Sequence, residues 1–308
     1  MAKSNQIIPD FTEDLVAFMV QMMLTITRFP RAPFAMIPLS KKEERIFGAD
    51  VKIESIAPLY IQFKRSLAYP DFSTAGFLKD RKSLNLNNKP RVLYFELRRK
   101  DKTHTDFQHN ILLNLRTKLQ QTGVGDAVYC APLFLHRSAY MLSVHLNSIL
   151  HWRPWHWFRH HPFQEEEFNL ISRTGSIRFQ NCPVLREHIS IPPFSRVTTH
   201  KHKYSYLESG NEACFHSPSI AENTTNFGKF IYEFMSFRDG KPTHELIGIE
   251  QSALFLSELN TECFGDNSPV EKQESILDSW LEFGNKLRQG YGIEQYMLIK
   301  FKDNEKST

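Results

Sequence analysis

EERIFGADVKIESIAPLYIQFKRS, residues 43 to 66, is the stretch on which the fold reading turns. Val51 and Ile53 alternate with Lys52 and Glu54, which predicts a strand with one buried face. Leu59, Ile61 and Phe63 alternate with Tyr60, Gln62 and Lys64, which predicts a second strand entered at Pro58. Side chains alternate with a period of two, so Gln62 and Lys64 share a face. A polar pair on an otherwise apolar strand is either a solvated edge, with Asp50 as a turn residue, or part of a site.

Outward from this stretch, Ser40 with Glu43 three residues on has the form of a capping box, opening a short helix that Gly48 ends. PRVLYFELRR reads as a third strand, with Val92, Tyr94 and Glu96 on one face and Leu93, Phe95 and Leu97 on the other. DFQHNILLNLRTKLQQ is an amphipathic helix with the stripe Phe107, Ile111, Leu112, Leu115 and Leu119, stopped by Gly123. DAVYCAPLFL predicts a buried fourth strand, and residues 70 to 90 a loop with a helical turn at most. Residues 40 to 135 thus run helix, strand, strand, strand, helix, strand, an α/β unit with helices covering a sheet.

Two regions are expected: 1–150, holding this unit, and 151–308, an α+β region for a substrate, partner or regulator. In the latter, residues 139–150 suggest a helix just before the boundary. Strands are expected near 176–180 and 203–207, helices near 219–237, 245–264 and 269–288, and QYMLIKF as a last strand.

At 308 residues the chain can bury a substantial core, and a net charge of +4 permits a polyanionic partner without demanding one. Cys130, Cys182, Cys214 and Cys263 form no CxxC pair or disulfide pattern, which points to a reduced, cytoplasmic protein. The apolar run LVAFMVQMMLTIT is shorter than the roughly 20 residues a bilayer span needs and follows Asp10, Glu13 and Asp14. It reads as a core helix, with no membrane role.

Phosphodiester hydrolysis asks for an activated water, a divalent cation and a cation near the developing charge. Mg²⁺ prefers oxygen ligands and keeps several waters. Asp50 and Gln62, on adjacent strands, would offer side-chain oxygens and Phe63 its carbonyl. Lys64 would orient the water or stabilise the phosphate, and Glu44 would reach the metal through water. Glu44…Gly48-Ala49-Asp50…Gln62-Phe63-Lys64 on this element order resembles the PD-(D/E)XK nuclease superfamily, in particular its E…GAD…QxK branch. The resemblance covers about residues 40 to 135.

It implies a restriction-endonuclease-like mixed sheet flanked by helices and a Mg²⁺- or Mn²⁺-dependent endonuclease. Glu44, Asp50, Gln62 and Lys64 would be its catalytic set, with Asp50, Gln62 and Phe63 on the metal. DNA is the expected substrate and RNA the alternative. The implied setting is prokaryotic restriction or antiviral defence, with a partner protein or activating ligand restraining the enzyme and oligomers possible. Gln62 stands where many members of the superfamily carry a carboxylate. That keeps a second class open: a non-catalytic nucleic-acid-recognition or scaffolding subunit.

Arg65, Arg98, Arg99, Lys100 and Gln108 are the expected nucleic-acid contacts, in a wider basic set with Lys79, Arg81, Lys82 and Lys102. Gln108 and His109 could instead cap the helix they open. The aromatic and histidine cluster HWRPWHWFRHH reads as packing or subunit contact ahead of zinc or base stacking. No GxxxxGK[ST], GxSxG or strand-following GxGxxG is present.

Overall fold

The computed structural model describes residues 6–26, 34–38, 53–70, 76–102, 104–142, 183–216, 219–235, 237–238, 241–242, 245–265 and 276–301. These build a mixed α/β fold around a mixed sheet ordered β1-β14-β2-β5-β6-β10. The strands are β1 (Phe34–Pro38), β2 (Ile53–Phe63), β5 (Asp126–Pro132), β6 (His188–Ile191), β10 (Thr225–Asn226) and β14 (Glu294–Phe301). Within it β2 and β5 are parallel, and the other pairs are antiparallel. A second, antiparallel sheet is ordered β3 (Leu67–Ala68), β4 (Val92–Glu96), β7 (Lys203–Leu207), β8 (Cys214–Phe215), β9 (Ser219–Ile220).

The two strands expected between 51 and 64 are one, because residues 53–63 form a single strand of 11 residues. The reason lies in its neighbours. Residues Ile56 through Ile61 are buried without alternation, the pattern of a central strand covered on both faces. One edge of β2 pairs with β14 from Ile53 to Ile61. The other pairs with β13 (Ile247–Gly248) at Ser55 and Ile56, then with β5 from Leu59 to Phe63. Pro58 stands in the gap between these two partners, where a residue lacking an N–H is tolerated.

β4, the expected third strand, keeps its two faces but lies in the second sheet, paired with β7 across five residues. The amphipathic helix is α3 (Gln108–Thr122), closed by Gly123 at φ 69 as its sequence predicted. It carries the chain from β2 to the parallel β5. Residues 76–83 form a full helix, α2 (Gly76–Ser83), where a turn at most was expected.

The other long helices are α1 (Glu13–Ile26), α4 (Phe227–Met235), α5 (Ser252–Phe264) and α6 (Ile276–Tyr291), and one further turn of helix spans Pro183–Arg186. Val16 and Val20 of α1 with Phe227 and Ile231 of α4 pack on Leu59, Ile61, Val128 and Leu298, one face of the main sheet. Leu112 and Leu115 of α3, Leu259 of α5, and Trp280 and Phe283 of α6 pack on Tyr60, Tyr129 and Met297, the other face. Leu93, Phe95, Tyr204 and Phe215 of the second sheet join that same core.

The strand at 203–207 and the last strand fall where expected. Residues 219–237 begin with two short strands before α4, and residues 247–248 are β13 ahead of α5. Strands from both sides of residue 150 share the main sheet, with β14 inserted between β1 and β2. The aromatic and histidine cluster, the strand expected at 176–180 and the Ser40 capping box lie outside the described residues.

Candidate functional site

Gln62 and Lys64 sit at the carboxyl end of β2, beside the carboxyl end of the parallel β5. The Lys64 backbone N–H donates to Cys130 O at 2.9 Å, which prolongs the pairing just past the strand. Crevices at such carboxyl ends are where open α/β sheets receive ligands. The amino end of α3 arrives at the same place, because the helix must begin there to return the chain to β5.

Both polar side chains are buried, at 3% exposure each. Gln62 pairs with Tyr129 across the parallel ladder, so it faces the α3 side of the sheet. Its Nε2 donates to Phe63 O at 3.0 Å, and its Oε1 has no hydrogen-bond partner among the described residues. Tyr60 Oη and Gln295 Oε1, on the same face and opposite each other in the β2–β14 register, are also buried without partners. An amide oxygen left this way carries a desolvation cost of about 1–3 kcal/mol.

Lys64 Nζ donates to Gln108 Oε1 at 2.9 Å. Burial pushes the ammonium below its ordinary pKa; Glu13, in the first turn of α1, opposes this and Arg98 adds to it. No carboxylate among the described residues comes within ion-pair distance of Lys64. The start of α1 is held at this end of the sheet by neighbouring contacts. Asp10 N donates to Leu135 O at 3.3 Å, and Arg137 N donates to the Asp10 carboxylate. Glu13 is therefore an acid that the sequence reading passed over. Its place on the first turn of a core helix gave no sign of nearness to Lys64.

The expected contacts divide. Arg65, Arg98, Arg99 and Lys100 are exposed, and Lys100 Nζ donates to Thr105 O at 2.8 Å. Gln108 is buried and is neither a surface contact nor a cap, since no side chain caps α3. Its Oε1 serves Lys64 and its Nε2 donates to Tyr291 O, at the end of α6. His109 is buried too, held between Tyr129 Oη at 2.8 Å and Ser195 O at 2.7 Å. Arg81 leaves the basic rim altogether. It is fully buried, donates to Asn87 O, Asn88 Oδ1, Ser205 Oγ and Glu212 O, and lies 3.7 Å from the Glu212 carboxylate.

Glu44 and Asp50 lie outside the described residues. Gln62 lies on the same continuous strand as Ile53. Nine steps along β2 separate Ile53 from Gln62, roughly 30 Å at the usual rise. Of the expected metal ligands, Gln62 Oε1 is a neutral oxygen, and Phe63 O already accepts from the Gln62 amide. Among the described residues no three His, Cys, Asp or Glu side chains group around a possible ion. The described part of the expected donor set, Gln62 Oε1 and Phe63 O, is neutral and contains no carboxylate, the ligand Mg²⁺ usually takes.

A second constellation has catalytic-looking geometry. Ser205 Oγ lies 2.8 Å from His216 Nε2, and His216 Nδ1 lies 3.1 Å from Asp80 Oδ2. A nucleophile must meet its substrate, yet Ser205 is fully buried with Arg81 donating to it at 3.1 Å, while the Asp80 side chain is 42% exposed. The order is inverted from that of a hydrolase. These groups fasten α2 to the second sheet.

No family model matches the chain, and no curated protein or solved structure matches it either. No helix among the described residues is long and apolar enough to cross a membrane.

Proposed function

We propose that this protein binds the phosphate backbone of nucleic acid, DNA in the first place, through the carboxyl end of β2 and β5. In this reading it is a recognition or scaffolding subunit on a restriction-endonuclease-like fold. The observation that carries the proposal is the convergence of buried Lys64, the amino end of α3 and exposed Arg98 at one sheet end, with no carboxylate among the described residues pairing the lysine. A buried ammonium and a helix amino terminus both raise the positive potential at this sheet end, where exposed Arg98 is the group that can meet an anion. Arg65, Arg99 and Lys100 extend that surface, and such contacts are sequence-independent. A subunit of this kind works with a partner, a cytoplasmic defence protein being the setting the E…GAD…QxK resemblance implies. Buried Cys130, Cys214 and Cys263, none in a disulfide, suit a reducing compartment.

Metal-dependent hydrolysis is the second reading, favoured by the unpartnered Gln62 Oε1 beside Lys64. It needs a carboxylate from a partner or from outside the described residues, so no chemical step is assigned to it.

Fluorescence anisotropy with labelled duplex DNA and single-stranded RNA across a salt series tests the binding reading. Affinity should fall linearly with the logarithm of salt. Arg98→Gln, Arg99→Gln and Lys100→Gln together should weaken binding to all sequences and flatten the slope by up to about 2.7. An unchanged slope, or no retention of either nucleic acid at low salt, would sink the proposal. The same samples incubated with Mg²⁺, Mn²⁺ or EDTA decide the second reading. Metal-dependent cutting that Lys64→Met abolishes would replace recognition with catalysis.

A further inference from the structure

We infer that Gln108 is a positioning residue for Lys64, anchored by the turn at Tyr291 and Gly292, so that the carboxyl-terminal helix and strand aim the ammonium. The consequence for phosphate contact rests on the binding reading above; the positioning itself does not.

The chemistry of the amide fixes its direction. Lys64 Nζ can only donate and Tyr291 O can only accept. Gln108 must therefore turn Oε1 to the lysine and Nε2 to the carbonyl, as found. Reversed, both ends would face like groups, so this side chain has one orientation and holds both neighbours in place. Buried side chains with both amide ends satisfied are fixed points in a core.

The anchor is itself held. Tyr291 ends α6, and Gly292 follows at φ 64, its N–H donating to Arg288 O at 2.8 Å. A β carbon at Gly292 would make only ordinary contacts, 3.7 Å from Arg98 Nη1 and Gln108 Nε2, so it is the left-handed φ of the turn beside the site that calls for glycine. The Tyr291 ring lies 4.6 Å from the His104 ring, just before α3, and 6.1 Å from Phe264 at the end of α5. The groups that bear electrostatically on Lys64 are Glu13 from α1, Arg98 after β4 and His109 on α3. None of them belongs to the carboxyl-terminal helix, whose influence runs through Gln108.

The test is an NMR titration of the Lys64 side chain in the full chain without nucleic acid, using ¹³Cε-labelled lysine and assigning the signal with Lys64→Arg. Gln108→Leu removes the acceptor and should lower the Lys64 pKa by about one unit. Gln108→Glu puts a carboxylate in its place and should raise it above wild type. Gly292→Ala, which strains the anchor, should move it in the direction of Gln108→Leu. Opposite shifts in the leucine and glutamate variants support positioning, because a merely structural role changes melting without reversing sign. Shifts of one sign in both, or none in either, overturn it. If Gln108→Leu does not fold, the comparison of Gln108→Glu with Gly292→Ala decides in the same way. The readout contains no nucleic acid, so failure of the binding reading leaves a distinct result.

Discussion

Gly125→Ala is the sharpest test of the single long β2. Gly125 lies between α3 and β5, where the chain turns back beside the middle of β2. A β carbon there would stand 2.1 Å from Pro58 O and 3.1 Å from Leu119 Cδ2. The first contact is with backbone, which cannot rotate away. To restore an ordinary separation, β2 and β5 would have to part by about 1 Å at the point where Leu59 and Asp126 begin their pairing. Overpacking of this kind costs about 1–3 kcal/mol, and each ladder hydrogen bond lost nearby adds roughly 1 kcal/mol. The expected loss is therefore about 3 kcal/mol, on the order of a hundredfold in the folding equilibrium. Urea unfolding followed by circular dichroism would read it as a lowered midpoint at unchanged slope. The contact exists because Pro58 is inside a continuous strand. Were residues 51–54 and 59–63 two separate strands, Pro58 would sit in their connection and alanine at 125 would be tolerated. A change below 0.5 kcal/mol, about the scatter of surface substitutions, would refute the single strand and restore two strands with the second entered at Pro58.

Two other expectations follow from buried polar groups. Burial lowers His109 and His188 to about 4 each, against hydrogen bonds to Ser195 O and Val184 O that favour the charged form. The unfolded histidines bind protons first, so this stability is complete above about pH 6.5 and is lost as pH falls toward 4, on the order of 3 kcal/mol per group. Urea midpoints from pH 7 to 4.5 should drop accordingly, with a shallower drop in His188→Gln; a pH-independent midpoint would contradict the burial argument. Arg81→Met should destabilise by about 3–5 kcal/mol, since it strands Glu212 and several acceptors, while Lys82→Ala, on the exposed side of α2, should stay near neutral. Equal effects in the two variants would return Arg81 to the surface set.

Legibility followed the range of the interactions. α3 was readable to its terminating Gly123 because an apolar stripe and a left-handed cap are both local. β4 was readable face by face: Val92 and Tyr94 fall in one cluster, and Leu93 and Phe95 in another. β2 was misread where alternation gave out. A strand buried on both faces has no polar residues to mark its phase, and Pro58 looked like a boundary because the gap between β13 and β5 is set by distant chain. Arg81 looked like its exposed neighbours Lys79 and Lys82. Its burial depends on Ser205 and Glu212, more than a hundred residues away.

The sequence by itself determined that Gln62 and Lys64 stand together on an apolar strand, that an amphipathic helix follows, and that basic residues flank both. Those are matters of period and composition, properties of a few consecutive residues. Only the tertiary structure decided which neighbours the pair receives. Gln108 arrives through the crossover of α3, Glu13 through the packing of α1, and the Tyr291 carbonyl through a strand inserted from the far end of the chain. Each depends on contacts between elements 44 to 183 residues apart, which the local pattern does not encode.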